Sequence, residues 1–261
     1  MANSISQGAR YLLTGVGLLR RPRVLPFVLI PLLINIALFY FGISYLYDDF
    51  AGWLDQLLAS IPDWLSFIRW LLWPLFALTM LLLVAFGFTF AANLIGSPFY
   101  GLMAEQVEII LEAKTAEIPL NLKTIAAIIP KAIMRECMKL LLYLRWVIPI
   151  LLLSLVALII TPLSTIMPLA WFAFGAWMLA IQYVDYCYDN HQIGVDKLRQ
   201  DLRDSRSSAM GFGGATALAS MVPVLNIIVV PAAVCGATAF WVEQLQPLQP
   251  GGGAINTGEE Q

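Results

Sequence analysis

WVIPILLLSLVALIITPLSTIMPLAWFAFGAWMLAIQYV, Trp146–Val184, runs for 39 residues without a charged side chain, and its reading decides the fold. A helix needs ~20 apolar residues, at 1.5 Å each, to cross the ~30 Å hydrocarbon core of a bilayer. This run is therefore long enough to enter a membrane and return. Pro149, Pro162 and Pro168 interrupt it. Proline removes a backbone donor and disfavours helix in the residue before it. The pieces left are about 12–17 residues, ~18–25 Å of helix, short for a full crossing. The run reads as a re-entrant helical hairpin with its tip at Pro162–Pro168. Irregular backbone at such a tip has to be covered by protein or face a water-filled cavity. Two full but kinked spans are the alternative.

Three more uncharged runs lie outward from it: Val24–Tyr47 (24 residues), Trp70–Ala104 (35) and Ser207–Val242 (36). The first holds one span, about 24–47. The second holds a span at about 70–90 and an interfacial continuation to Ala104. The last is broken by Gly211–Gly214, Pro223 and Pro231 and reads as a second hairpin, 207–242, with its tip at Pro223–Pro231. The expected fold is an all-α integral membrane protein: two long transmembrane helices, two Pro/Gly-broken re-entrant hairpins and an amphipathic cytoplasmic helical segment. Residues 1–242 form one membrane domain. The Gly/Pro-rich end, 243–261, reads as a disordered tail.

Composition agrees. Of 261 residues, 60% are hydrophobic and 12% charged, with a mean hydropathy of +0.79. Soluble domains carry about 25% charged residues, so an ordinary soluble enzyme is excluded. A net charge of −2 gives no footprint for nucleic acid. Cys137, Cys187 and Cys235 form no CxxC, and His191 is the only histidine. No metal site, nucleotide loop or nucleophile–base pair is written in the chain, and no cofactor is expected.

The polar stretches give the topology. Residues 1–23 carry four basic residues and no acid, 105–145 six basic residues, and 185–206 four. Segment 48–69 carries Asp48, Asp49, Asp55 and Asp63 against Arg69 alone. The positive-inside rule places 14 of the 15 basic residues, and both termini, in the cytoplasm. Segment 105–145 reads as helix-loop-helix.

Three groups of residues can carry chemistry. In GLLRRPRVLPF, Arg20, Arg21 and Arg23 precede the first span, with Gly17 beside them. Guanidinium forks match tetrahedral oxyanions, glycine lets backbone N–H groups approach, and the following helix start adds its dipole. The same arginines would also serve as a topology anchor at anionic headgroups. Glu105, Glu108 and Glu112 fall at i, i+3 and i+7, one helical stripe, and with Arg135 could line an aqueous path or exchange protons. A solvated helix face is the plainer reading of that stripe. In AIQYVDYCYDNHQ, His191 could titrate near physiological pH beside Asp185 and Asp189. Helix capping in the headgroup zone is the plainer reading there.

FVLIPLLIN (Phe27–Asn35), SPFYGLMAEQVE (Ser97–Glu108), AWMLAIQYVDYCYDNH (Ala176–His191) and MVPVLNIIVVPAAVCGATAFWV (Met221–Val242) follow one another in the order found in a known family. From about Gly15 to Val242 the chain resembles the CysZ-type bacterial sulfate transporters. The resemblance implies sulfate uptake across the inner membrane for cysteine synthesis. Two ways of driving it fit the residues: proton-dependent uptake through Glu105, Glu108 or His191, and a passive sulfate/sulfite channel. The resemblance also implies two long spans with re-entrant hairpins and a homo-oligomer set among membrane lipids. A membrane enzyme acting on lipid-linked substrates is the other class considered, and it lacks a DDxxD-type cluster. One departure concerns the family's Pro-Gly-Leu/Ile-Arg-Arg turn, which looks like its sulfate site. Here Pro22 is followed by Arg23, Val24, Leu25 and Pro26, and the arginines fall earlier.

Overall fold

The computed structural model describes residues 3–59, 74–75, 77–78, 81, 95–112 and 122–248, and all the regular structure among them is helical. In chain order the elements are α1 (Ile5–Leu18), α2 (Leu25–Ala59), α3 (95–111), α4 (Leu122–Ala157), α5 (Thr161–Asn190), α6 (Val195–Asp204), α7 (Arg206–Ser220) and α8 (Pro223–Phe240). A π-helical turn, Trp241–Leu245, and a 3-10 turn, Gln246–Leu248, follow α8. The chain divides into two units, one of residues 1–28 with 98–261 and one of residues 29–97.

In the larger unit, α1 packs on α7 and α8, and α7 packs on α5. Glycine makes these approaches possible. A Cβ on Gly15 would strike the Ala232 carbonyl and one on Gly236 the Tyr11 carbonyl, so α1 and α8 meet backbone to backbone. Gly8 meets Ser208, and Gly211 meets Ile5, in the same way on α7. Small residues that let helix backbones touch are how helices associate where lipid supplies no hydrophobic drive. Tyr11, Phe212, Phe240 and Trp241 fill the core around these crossings. Asn3 pins the start of α1 across the α6–α7 junction: its Nδ2 donates to the Asp204 carbonyl at 3.0 Å, and its Oδ1 accepts from Ser208 N at 2.8 Å.

Each of the two runs folds as a helix–turn–helix, and the turns fall elsewhere than expected. The first reverses at Leu158–Ile160, and Pro162 stands at the start of α5, where its missing N–H costs nothing. Pro149 lies inside the 36 residues of α4 and Pro168 inside the 30 of α5, so neither ends its helix. The second hairpin turns at Met221–Val222, ahead of Pro223, and Pro231 is inside α8. Gly211–Gly214 is not a break but a contact surface within α7. The arms are accordingly longer than 12–17 residues in three of the four helices. Ile133–Ala157, Pro162–Asn190 and Ile228–Leu248 are each long and apolar enough to cross a membrane. The polar segment and the first hairpin are also continuous, because α4 passes through 145/146 without interruption.

The first span continues beyond Tyr47, since α2 runs as far as Ala59. Of the span at 70–90, residues 74–75, 77–78 and 81 are helical, and the rest lies outside the described residues. Residues 243–248 of the expected tail are helical turn with Leu245 fully buried, whereas 249–261 lie outside the described residues.

Candidate functional site

Two polar groups gather at the C-terminal end of α5. The first joins α3 to that end. Glu108 is 6% exposed, and its carboxylate receives His191 Nε2 at 2.8 Å (Oε1) and 3.1 Å (Oε2). His191 follows directly on α5, its ring 5.1 Å from that of Trp241, which also meets Tyr188 edge-on at 4.7 Å. Asn190 Nδ2 donates to the Gly101 carbonyl at 2.9 Å and fixes α3 against the same end. Glu105 sits at the open edge of the group. Partial burial, and then the neighbouring Glu108 carboxylate, raise its pKa above the usual carboxylate range, while His191 offsets part of that rise. Glu112 accepts from Gln246 Nε2 at 2.9 Å. The stripe read from i, i+3, i+7 spacing thus has three different surroundings.

The second group clamps α4 to α5. Arg135 Nε donates to both oxygens of Asp185 (3.1 and 3.0 Å), and Nη2 reaches Oδ1 at 2.7 Å. Its Nη1 bonds Asp189 at 2.8 Å, and Nη2 also donates to the Ile193 carbonyl at 3.0 Å. Asp185 is 1% exposed, so this is a charge taken out of solvent and matched by the fork geometry of arginine. Lys139 lies 3.4 Å from Asp185 and 2.7 Å from Glu136, with its ammonium 4.8 Å above the Tyr186 ring. Two cations therefore face three carboxylates. Arg135 is committed to protein acceptors at every nitrogen.

The clamp also shapes the turn after α5. Gln192 has φ 56°, a left-handed conformation that costs an L residue roughly 1–2 kcal/mol. The neighbouring Ile193 carbonyl is held by Arg135, and Ile193 N bonds the Tyr188 carbonyl at 2.7 Å. The chain can then fold back as α6, where buried Asp201 accepts from Tyr188 Oη (2.8 Å) and from Lys197 (2.6 Å).

The arginine cluster is elsewhere. Arg20, Arg21 and Arg23 are exposed on the turn between α1 and α2, a chain of short backbone bonds from Leu19 to Phe27. Val24 and Phe27 anchor that turn in the core. Gly17 is exposed with open space where a Cβ would stand. The structure thus pairs Glu108 with His191, keeps Glu105 within electrostatic reach of both, and gives Arg135 and Glu112 other partners. It leaves the three arginines and Gly17 at the surface before α2.

Lys139, Glu136 and Asn190 are the polar residues that sequence reasoning did not place in a site, and Asp185 was grouped with His191 and Asp189 rather than with Arg135. Arg135 and Lys139 stand one turn apart, but their partner is 50 residues away for Arg135 and follows from no spacing rule. Among the described residues no cluster of three His, Cys, Asp or Glu side chains could hold a metal ion. The three cysteines are free, with Cys137 exposed and Cys187 and Cys235 buried.

Helices of this length and apolarity, with buried charge confined to their polar ends, define a multi-pass helical membrane protein. The chain belongs to the family described as sulfate transporter CysZ/etoposide-induced protein 2.4, whose profile matches residues 11–231. The sulfate transporter CysZ of Pseudomonas aeruginosa PAO1 is 42% identical over 240 residues, covering 91% of this chain and 95% of that protein. Proteins of the same name match from Pectobacterium atrosepticum (39% over 247 residues, 95% of this chain and 88% of the relative). The match from Salmonella enteritidis PT4 is 40% identical over 237 residues (90% and 92%).

Proposed function

We propose that this chain carries sulfate across the bacterial inner membrane to supply cysteine synthesis, and that it catalyses no reaction. The observation that carries the proposal is the match, over nine-tenths of the chain, to relatives named as sulfate transporters. In this reading the cytoplasm holds both termini, and several copies assemble among membrane lipids to complete the path. Arg20, Arg21 and Arg23, with Gly17, take the dianion at the start of α2, where guanidinium forks and the helix dipole favour tetrahedral oxygens.

Proton dependence rests on Glu105, Glu108 and His191. With the imidazole protonated, the Glu108–His191 pair is neutral. With it neutral, one more uncompensated negative charge faces the path, beside Glu105. A dianion is repelled more strongly in that state, so a proton on this pair favours flux.

The test is uptake of radiolabelled sulfate into liposomes holding only this protein, with and without an inward pH gradient, and with phosphate and sulfite as competitors. Saturable uptake that the gradient accelerates is the expected result. Uptake indifferent to the gradient would make the protein a passive sulfate/sulfite channel. No uptake above empty liposomes would remove the proposal. Replacing Arg20, Arg21 and Arg23 together by Ala should abolish sulfate binding while insertion is kept, and unchanged affinity would return them to a topology anchor.

A further inference from the structure

Away from both polar groups, α4, α5 and α6 line an open-sided pocket of about 260 Å³. Its walls on α4 and α5 are apolar and aromatic, chiefly Leu142, Trp146, Phe174, Trp177 and Met178. Its rim on α6 carries Arg199 and Arg203. These two are i, i+4, so their side chains share one face of the helix. The opposite face fixes α6 in place: Leu198 and Leu202 are fully buried, and Asp201 is held by Tyr188. The arginines are therefore presented from a rigid element. The nearest carboxylate to Arg199 is Asp196, 3.6 Å away and fully exposed, a contact that leaves most of the guanidinium donors to another acceptor.

We propose that this pocket binds one anionic phospholipid of the surrounding bilayer, with its phosphate between Arg199 and Arg203 and part of an acyl chain against the aromatic wall. The reading rests on the membrane assignment, not on sulfate transport. Charge complementarity names the headgroup: basic pockets between membrane helices on the cytoplasmic side take lipid phosphates. The walls name the rest of the ligand. Trp146, Phe174 and Trp177 belong to the uncharged run that opens at Trp146, which gives a water-soluble anion nothing to hold beyond its charge. The volume decides against a protein occupant, since a helix about 10 Å across does not fit such a space. Tryptophan at the boundary between apolar and charged segments suits the same depth, where the glycerol backbone of a lipid lies.

The test uses the full chain, purified in detergent and examined by native mass spectrometry with phosphatidylglycerol and phosphatidylcholine of identical acyl chains. Phosphatidylglycerol should be retained at least tenfold more strongly. Replacing both arginines by Gln (R199Q/R203Q) should remove that preference and leave phosphatidylcholine retention as it was. Leu142→Trp, which narrows the apolar part without touching charge, should weaken retention of phosphatidylglycerol. Equal retention of the two lipids by the wild type would overturn the proposal, and so would full retention in the Leu142→Trp variant. Displacement of the lipid by millimolar glycerol phosphate would make this a soluble-anion site and overturn it as well. Should the arginine variant not fold, the Leu142→Trp and competition arms still decide.

Discussion

The apolar stretches Ile133–Ala157 and Ile228–Leu248 are both long enough to span a bilayer, yet they live in opposite surroundings. In the most apolar 18 residues of the first only 6% are buried within the protein, against 72% in the second. The more hydrophobic of the two is the exposed one, with a mean hydropathy of 2.2 against 1.5. Side-chain size explains the inversion. On α4, Ile148, Leu151, Leu152 and Leu155 project large side chains outward, where lipid tails solvate them as well as protein would. On α8, Ala232, Ala233, Gly236 and Ala237 let α1 come within backbone distance. In a membrane chain, then, small residues mark the protein-facing helix and large ones the lipid-facing helix.

α4 buries little apolar surface on protein, so the charged clamp at its polar end is its strongest hold on α5, beside the Trp171 Nε1–Ser154 Oγ hydrogen bond of 2.9 Å and the Tyr143–Phe174 ring contact. Arg135→Gln should therefore have the largest effect among single changes, about 3 kcal/mol, from the lower end of the range for breaking a buried pair. The lower end applies because Lys139 stays 3.4 Å from the abandoned Asp185 carboxylate. Thermal unfolding of the purified protein measures it, and adding Asp185→Asn should recover part of the loss. A loss below about 1 kcal/mol would mean that α4 is held by something other than this clamp.

Next comes the packed helix. Gly236→Val puts a branched side chain against the Tyr11 carbonyl and should cost about 1–3 kcal/mol through overpacking. Leu152→Ala on the exposed face of α4 should stay within about 0.5 kcal/mol, although it removes far more apolar surface. Equal effects of the two in parallel melting curves would erase the contrast between the helices. The reverse order would place the outer face of α4 against protein, in a contact between copies of the chain.

How much of this was legible in the sequence follows from the same physics. Charge-free runs revealed helices in an apolar medium, because burying 39 uncharged residues leaves few other solutions. Turn positions were not legible from proline. Pro149, Pro168 and Pro231 sit inside helices, and Pro162 begins one, since neighbouring helices and irregular turns satisfy the freed carbonyls. Gly211–Gly214 looks like a break when α7 is read alone and becomes a contact surface only with its neighbours in place, Ile5 of α1 against Gly211 and Ala176 of α5 against Gly213. In the site, Glu108 and His191 were each legible as titratable residues near a membrane stretch. Their pairing, 83 residues apart, is a product of the fold. The Asp185 clamp was hidden for the same reason, behind a spacing that reads equally well as helix capping.

The smallest expected effect concerns the open edge of the site, where neither tight packing nor a full clamp operates. The carboxyl of Glu105 is raised in the folded protein, first by burial and then by Glu108. A carboxylate with a raised folded pKa binds protons more tightly folded than unfolded. Its ionised form therefore weighs against the fold, and stability declines as pH climbs from the unfolded pKa through the folded one. Glu105→Gln removes that titration. The variant should match the wild type in acid and melt at a slightly higher temperature once pH passes the carboxylate range. A variant that instead loses stability at neutral pH would make the Glu105 carboxylate a partner that the fold needs, and the edge of the site would then resemble the clamp on α4 rather than differ from it.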